Sequence, residues 1–155
     1  MSRIERLTVS SIFPAAPDEI WQRLARVDTM QYVARPLLMF ASAEGGGEEW
    51  QVGETMRFRL RILGILPLGL HTVRLETVDS AAYTMQTRES SRLIPVWNHH
   101  IAVAAAEDGR SRYTDSLEIG AGWRTGFVYW FAKLFFRHRH KRWRRLLRQG
   151  DRKTA

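Results

Sequence analysis

The sequence contains no cysteine, which excludes disulfide bonds and thiolate metal sites. It also lacks any run of about 18 apolar residues, the length that a membrane-spanning helix needs. Its densest apolar run, residues 127–136, is ten residues long and includes Lys133. The first residues have no charged segment followed by a long apolar one, so no secretory signal is indicated. These absences predict a cytoplasmic protein without a transmembrane segment.

Acidic residues are scarce at the end of the chain. Residues 1–136 carry 15 basic and 15 acidic side chains, whereas residues 137–155 carry nine basic side chains and one acid. The net charge of +8 therefore comes from the last segment alone. Nucleic-acid-binding domains usually spread basic residues over a groove, which this distribution does not indicate. We expect no nucleic-acid partner, and an anionic membrane surface is a candidate partner for the basic segment.

The 155 residues fit a single domain. We place this domain at residues 1–149, with a short polar tail at residues 150–155. Alternating apolar and polar residues predict a first strand that ends at Phe13. Pro17, followed by two acids, begins the first of two short helices. Six further strands follow, and a long helix at residues 122–149 closes the domain.

The last two strands form a hairpin whose register can be counted. Residues 107–109 are a three-residue loop with glycine at the left-handed position. Counting back from this loop places Ile101 opposite Asp115 and His99 opposite Leu117. His99 and Asp115 are therefore diagonal neighbours on one face of the sheet.

Several short stretches, together with this order of elements, resemble the START-like (SRPBCC) superfamily and its small uncharacterised bacterial members. The stretches are Trp50-Gln51-Val52-Gly53, Leu66-Pro67-Leu68-Gly69-Leu70-His71, Trp97-Asn98-His99-His100-Ile101, Tyr113-Thr114-Asp115 and Phe135-Phe136-Arg137-His138-Arg139. The superfamily includes plant pollen allergens, lipid-transfer domains and polyketide cyclases. The resemblance implies an α+β helix-grip fold. In this fold a curved seven-stranded antiparallel sheet wraps around a long C-terminal helix, two short helices follow strand 1, and a cavity lies between sheet and helix.

Four ionisable residues share the inward parity of the predicted strands: His71, Glu89, His99 and Asp115. Unpaired buried charge is costly, so we expect these residues to be paired, with His99 and Asp115 within reach of each other. Three interpretations stay open. The residues form a satisfied core network, they orient a ligand, or Asp115 holds His99 as a general base.

Other chemical motifs are missing from the sequence. There is no phosphate-binding glycine loop and no nucleophile elbow. The histidines and carboxylates do not have the His-Glu-x-x-His spacing of a helical zinc site. We therefore predict no metal and no cofactor. His138 and His140 lie among arginines and are predicted to be solvated.

The closing helix divides by spacing into two apolar faces and a basic end. We predict that Trp123, Phe127, Trp130, Phe131 and Leu134 face the sheet or line the cavity, whereas Tyr129, Lys133, Phe136 and His140 lie on a partly exposed face. The basic end fits a solvated helix terminus or a contact with an anionic membrane. The residues assigned to that contact are Arg137, Arg139, Lys141, Arg142, Arg144 and Arg145.

Together these observations favour binding over catalysis. We predict a protein that binds or carries a small hydrophobic molecule or lipid between the sheet and the helix. The predicted apolar contacts are Phe58, Leu60, Val73, Tyr83, Met85, Trp97, Phe127, Trp130 and Phe131, and the orienting residues are His71, Glu89, His99 and Asp115. Two alternatives stay open: a cyclase- or dehydratase-like enzyme using His99 and Asp115, and a peripheral membrane or partner-binding protein acting through its basic helix.

Overall fold

The computed structural model describes residues 3–154, with side chains as far as residue 150. Met1, Ser2 and Ala155 belong to the predicted domain and tail but lie outside the described residues. Within the described residues, seven strands and three α-helices follow one another in the predicted order. The strands are β1 (Glu5–Phe13), β2 (Leu38–Glu44), β3 (Thr55–Ile62), β4 (Leu66–Asp79), β5 (Thr84–Ser91), β6 (Val96–Ala105) and β7 (Ser111–Gly120), and the helices are α1 (Pro17–Leu24), α2 (Val27–Ala34) and α3 (Thr125–Thr154).

The strands form one antiparallel sheet in the order β1-β7-β6-β5-β4-β3-β2, so the first strand pairs with the last. The β6–β7 hairpin has the predicted register, with Ile101 opposite Asp115 and His99 opposite Leu117. Its loop contains Asp108 and Gly109 at φ values of 58° and 71°, the left-handed region that glycine occupies without strain. The sheet and the long last helix confirm the predicted α+β helix-grip fold.

Helix α3 packs against the sheet and α2 through one continuous face. Its buried residues recur every three or four positions: Val128, Ala132, Phe135, Phe136, Arg139, His140, Trp143 and Leu147. This face passes from the aromatic half into the basic half, and the helix continues beyond Gln149 to Thr154. Among the described residues, no helix is long and apolar enough to cross a membrane.

The predicted orientation of the aromatic half of α3 is wrong. Trp123, which lies in a 3-10 turn before α3, is 89% exposed; Phe127 and Trp130 are 72% and 63% exposed, and Leu134 is exposed as well. Phe136, which was assigned to the partly exposed face, is fully buried. Both faces of this half are apolar, so hydrophobic spacing alone does not decide which one packs against the sheet. The buried residues of the basic half fix the rotation of the helix.

The ends of β4 and β5 show two local features of the sheet. The loop between β3 and β4 is short, because β4 already pairs at Leu66 with Ile62 of β3. Tyr83, one of the predicted apolar contacts, precedes β5 and has a φ of 55°. Its ring packs against Trp21 and its hydroxyl donates a hydrogen bond to Asp18. Tyr83 therefore belongs to a turn on the surface and not to the cavity.

Candidate functional site

A cavity of about 100 Å³ lies between the sheet and α3. Five of the predicted apolar contacts line it: Leu60, Val73, Met85, Trp97 and Phe131. Phe58 is instead packed in the core beside Phe40 and Trp50. Phe127 and Trp130 point away from the sheet, so the prediction that they line the cavity is wrong.

The cavity also has polar residues in its lining, centred on Glu89 of β5. His71 Nε2 lies 2.9 Å from Glu89 Oε1, and Thr87 Oγ1 donates to Glu89 Oε2 at 2.6 Å. The pairing of β4 with β5 brings these side chains to one face of the sheet. Because an ionised carboxylate only accepts hydrogen bonds, the histidine carries its proton on Nε2.

Asp115 of β7 forms a second centre, which is fully buried. His99 Nε2 lies 2.5 Å from Asp115 Oδ1, as the diagonal register predicts, and His140 Nε2 lies 2.7 Å from Oδ2. Both histidines therefore donate from Nε2. Ser11 Oγ then donates to His140 Nδ1 at 2.7 Å. The prediction that His140 is solvated is wrong, because its side chain is only 2% exposed and bridges α3 to the sheet.

His99 connects the two centres. Its Nδ1 atom lies 3.9 Å from Glu89 Oε2, while its Nε2 atom contacts Asp115. One polar chain thus crosses the sheet from β1 to β4, through Ser11, His140, Asp115, His99, Glu89 and His71. Among the described side chains, which end at residue 150, no cluster of three or more histidine and carboxylate groups is arranged to hold a metal ion.

Both buried carboxyl groups are ionised. Burial opposes the ionisation of Asp115, but the fields of His99 and Arg139 and the two histidine hydrogen bonds hold the pKa of that carboxyl below its usual range. Burial opposes the ionisation of Glu89 as well, and its contact with His71 holds the pKa of this carboxyl below the ordinary value. The interior therefore holds two negative charges, which cationic partners must balance.

Arg139 is one of these partners, although the sequence assigned it to a membrane contact. Only 7% of it is exposed, and its guanidinium carbon lies 5.1 Å from the centre of the Phe136 ring. Burial disfavours its charge, but the Asp115 carboxylate keeps the pKa of Arg139 above the usual value. Arg142 is also occupied, because its guanidinium donates to the Tyr32 carbonyl at 3.2 Å. The prediction for Arg139 is therefore wrong, whereas the membrane contact of the half-buried Arg142 stays a prediction.

The other cations assigned to the membrane contact differ in exposure. Arg137, Lys141 and Arg145 are exposed, whereas Arg144 is half-buried over the Phe13 ring. His138 is half-buried, and its Nε2 atom lies 2.6 Å from the Arg35 carbonyl oxygen. The basic half of α3 is thus divided between the interior and the solvent.

Three residues of the cavity lining each have a buried polar atom with no hydrogen-bond partner among the described residues. These atoms are His71 Nδ1, Arg139 Nε and Trp143 Nε1. Native proteins leave few buried polar atoms unpaired, and those that remain call for an explanation. Arg139 and Trp143 are one helical turn apart, so their N–H groups come from neighbouring positions on α3. Burial raises the pKa of the Tyr113 hydroxyl, and hydrogen bonding from Arg139 and Trp143 opposes that rise. This hydroxyl, which lies outside the cavity lining, therefore competes with a ligand for the two N–H groups.

The sequence analysis did not place Arg139, His140 and Trp143 in the interior, beside the polar chain and the cavity. One signal could have found them. Trp143 and Leu147 are apolar residues within the basic half, and steps of three and four residues back from them reach Arg139, His140 and Ala132. Periodicity followed along the whole helix, and not only its aromatic half, selects the correct buried face.

Comparisons with known proteins agree with this architecture. Ms6760 from Mycobacterium smegmatis superimposes with a TM-score of 0.71 at 14% identity, over 97% of this chain and 98% of that one. CV1439 from Chromobacterium violaceum gives 0.68 at 10% identity, over 92% and 96%. Ara h 8.0201 gives 0.63 at 16% identity, over 91% and 98%. At these identities the similarity shows a shared fold.

Sequence comparison gives two further results. A search of curated proteins found no significant match. A family profile, described as a domain of unknown function (DUF8410), matches residues 11–147, which include every residue of the polar chain and the cavity lining. The chain therefore belongs to the DUF8410 family and has the helix-grip fold.

Proposed function

We propose that the protein binds a compact, mostly apolar molecule that carries a hydrogen-bond acceptor, such as a carbonyl or carboxylate group. One observation carries the proposal: three residues that line the same apolar cavity, His71, Arg139 and Trp143, each have a buried nitrogen without a hydrogen-bond partner among the described residues. A bound acceptor would satisfy the two donors, while the aromatic and aliphatic lining would supply most of the affinity.

The size of the cavity limits the ligand. Pockets for drug-sized ligands usually have volumes of about 300–1,000 Å³, whereas this cavity has about 100 Å³. The dimensions favour a molecule of roughly one aromatic ring over a long acyl chain. Ordered water is the alternative occupant, because a cavity of this size with polar atoms can hold water molecules.

Two small probe molecules distinguish a cavity that binds an organic ligand from one that holds only water. Benzoate and toluene are similar in shape, but only benzoate carries an acceptor group. We expect both probes to shift the NMR signals of ¹³C-labelled methyl groups on Met30 and Met85, which line the cavity. The methyl groups of Met39 and Met56 serve as internal controls, because they are not part of the lining. If neither probe shifts Met30 or Met85, the proposal is overturned and the cavity holds water.

A conservative variant tests the role of the donors. Trp143→Phe removes the indole N–H and keeps an aromatic ring in the core. We expect it to weaken benzoate binding about tenfold, the usual scale for one lost hydrogen bond to a charged group, and to leave toluene binding within about twofold. An equal loss for both probes would show that Trp143 contributes only packing. Native mass spectrometry of protein purified from its own host would then identify a retained ligand.

Catalysis by His99 is the second candidate function, and the 2.5 Å contact with Asp115 favours it. The carboxylate fixes the Nε2–H tautomer, which leaves Nδ1 as the basic atom. That atom faces Glu89 at 3.9 Å, so a substrate proton would have to lie between the two residues. A ligand that is recovered chemically unchanged after incubation with the protein would exclude this activity for that ligand.

A further inference from the structure

We propose that one end of the molecule docks on an anionic lipid bilayer, through exposed aromatic and aliphatic side chains surrounded by cations. This surface is separate from the cavity chemistry and does not depend on which ligand the cavity takes. It also differs from the basic-tail contact that the sequence predicts, because the aromatic half of α3 forms its centre.

Exposed large apolar residues are concentrated at this end. The described chain has eleven exposed large apolar side chains, and ten of them lie at this end; Val52 is the exception. The ten belong to the start of β1, the tips of the β3–β4 and β5–β6 hairpins, the beginning of β4, or the first part of the α3 segment. The ten are Ile4, Leu63, Ile65, Leu66, Leu70, Leu93, Trp123, Phe127, Trp130 and Leu134, which we call the apolar end. Scattered exposed apolar residues are ordinary, whereas a concentration of this kind marks an interaction site.

The fold explains why these segments meet. Strand pairing places Glu5 beside Ile119 and Val96 beside Gly120, so β1 begins where β6 begins and β7 ends. Arg124 donates to the Leu93 carbonyl at 2.9 Å, which ties the beginning of the α3 segment to the β5–β6 tip. The β3–β4 tip lies at the same end of the antiparallel sheet.

The stripe on α3 has the composition of an interfacial helix. Trp123, in the short 3-10 turn before α3, is followed by Phe127, Trp130 and Leu134 on the outward face of the helix, at spacings of four, three and four residues. Tryptophan and phenylalanine favour the boundary between lipid head groups and acyl chains. Phe131, which lines the cavity, lies next to Trp130 in the sequence, so the docking face and the cavity share one turn of α3.

Charge favours an anionic bilayer over a neutral partner. Residues 55–75, 90–106 and 119–150 contain no acidic residue. Exposed cations accompany the apolar end on β3, on the β5–β6 tip and on α3: Arg61, Arg92, Lys133 and Arg137. At the start of β1, Arg3 and Arg6 are paired with Glu5 and Glu118. The tail cations Arg145 and Arg148 are 15 or more residues beyond Trp130, about 22 Å along the helix, which is more than two Debye lengths at physiological salt.

Vesicle co-sedimentation tests the proposal. We expect the protein to bind vesicles of 70% phosphatidylcholine and 30% phosphatidylserine at least tenfold more tightly than phosphatidylcholine vesicles, and binding should weaken in high salt. Tryptophan emission should shift to shorter wavelength on binding. Absence of binding to the mixed vesicles, or equal binding to both kinds, overturns the proposal.

Matched variants locate the contact. Ile65→Ala should weaken vesicle binding several-fold, whereas Val52→Ala, at the opposite end, should not change it. The double variant Lys133→Glu with Arg137→Glu should weaken vesicle binding at least about fivefold for each cation replaced. The double variant Arg145→Glu with Arg148→Glu, in the tail, should weaken vesicle binding less. The reverse order would assign binding to the tail and contradict the proposal.

A second copy of the chain is the competing occupant of the apolar end. Sedimentation equilibrium of the wild-type protein, without lipid, distinguishes a surface that docks on lipid from an interface between two copies. A monomer supports the lipid proposal. A stable dimer that Trp123→Ala with Trp130→Ala converts to a monomer shows that the surface is an interface between copies, and the lipid proposal fails.

Discussion

The two buried carboxylates make similar hydrogen bonds but occupy different places. Asp115 is fully buried, accepts hydrogen bonds from His99 and His140, and is not part of the cavity lining. Glu89 accepts hydrogen bonds from His71 and Thr87 and lies in the cavity lining. Asp115 therefore joins the last helix to the sheet, whereas Glu89 faces the space that a ligand would occupy. A polar chain in a protein interior can thus be structural at one end and available for function at the other.

The largest expected effect is on stability, and it should separate the two carboxylates. Asp115→Asn removes the charge that both histidines and Arg139 depend on, and we expect it to lower the free energy of unfolding by about 3–5 kcal/mol. Glu89→Gln should cost about 1–3 kcal/mol, because the cavity lets nearby groups rearrange. Urea unfolding at pH 7 measures both values. Glu118→Gln, on the exposed face of β7, is the control and should cost less than about 1 kcal/mol. Equal costs for the two buried sites would contradict the comparison.

Acidification should lower the stability of the wild type and of the two carboxylate variants by different amounts. Both carboxyl groups have folded-state pKa values below those of the unfolded chain, so the unfolded state binds protons first as the pH falls. Their stabilisation is complete above about pH 5 and is lost as the pH falls through the lower folded pKa values. Urea unfolding between pH 7 and pH 3 should show a steeper loss for the wild type than for Asp115→Asn, with Glu89→Gln between them. Parallel curves would show that neither carboxyl is linked to folding.

The smallest expected effect tests the outer end of the chain. Ser11→Ala removes the donor to His140 Nδ1, and we expect a loss of about 1 kcal/mol. Ser10→Ala is the matched control, because Ser10 is exposed and contacts Thr114 on the opposite face. Thermal unfolding of the two variants measures the difference. A Ser11→Ala protein as stable as the control would mean that solvent replaces the hydroxyl without cost.

The sequence predicted the sheet side of the site well. The hairpin loop with Gly109 fixes the register of β6 and β7, and the alternation of strand residues fixes which side chains point inward. The contact between His99 and Asp115 follows from these two rules alone. The pairing of His71 with Glu89 needed one further fact, the offset between β4 and β5, which no tight turn specifies.

The helix side was predicted poorly, for a physical reason. Aromatic residues surround the first half of α3, so apolar spacing fits two rotations of the helix equally well. The observed rotation buries Arg139 and His140 against Asp115, an arrangement that hydrophobicity alone would reject. A partner on a distant strand makes this burial favourable, and local sequence patterns do not contain that information.

The pairing of the first strand with the last also governs how the protein folds. Ser11 and His140 are 129 positions apart, and β1 has no neighbour in the sheet until β7 has been synthesised. Contacts of such long sequence separation make folding slow, because the chain must close a large loop before they form. Until then the edge of β1 is open to pairing with other chains. The ribosome must therefore release nearly the whole polypeptide before the interior can assemble, which makes premature termination in α3 far more damaging than its position near the end suggests.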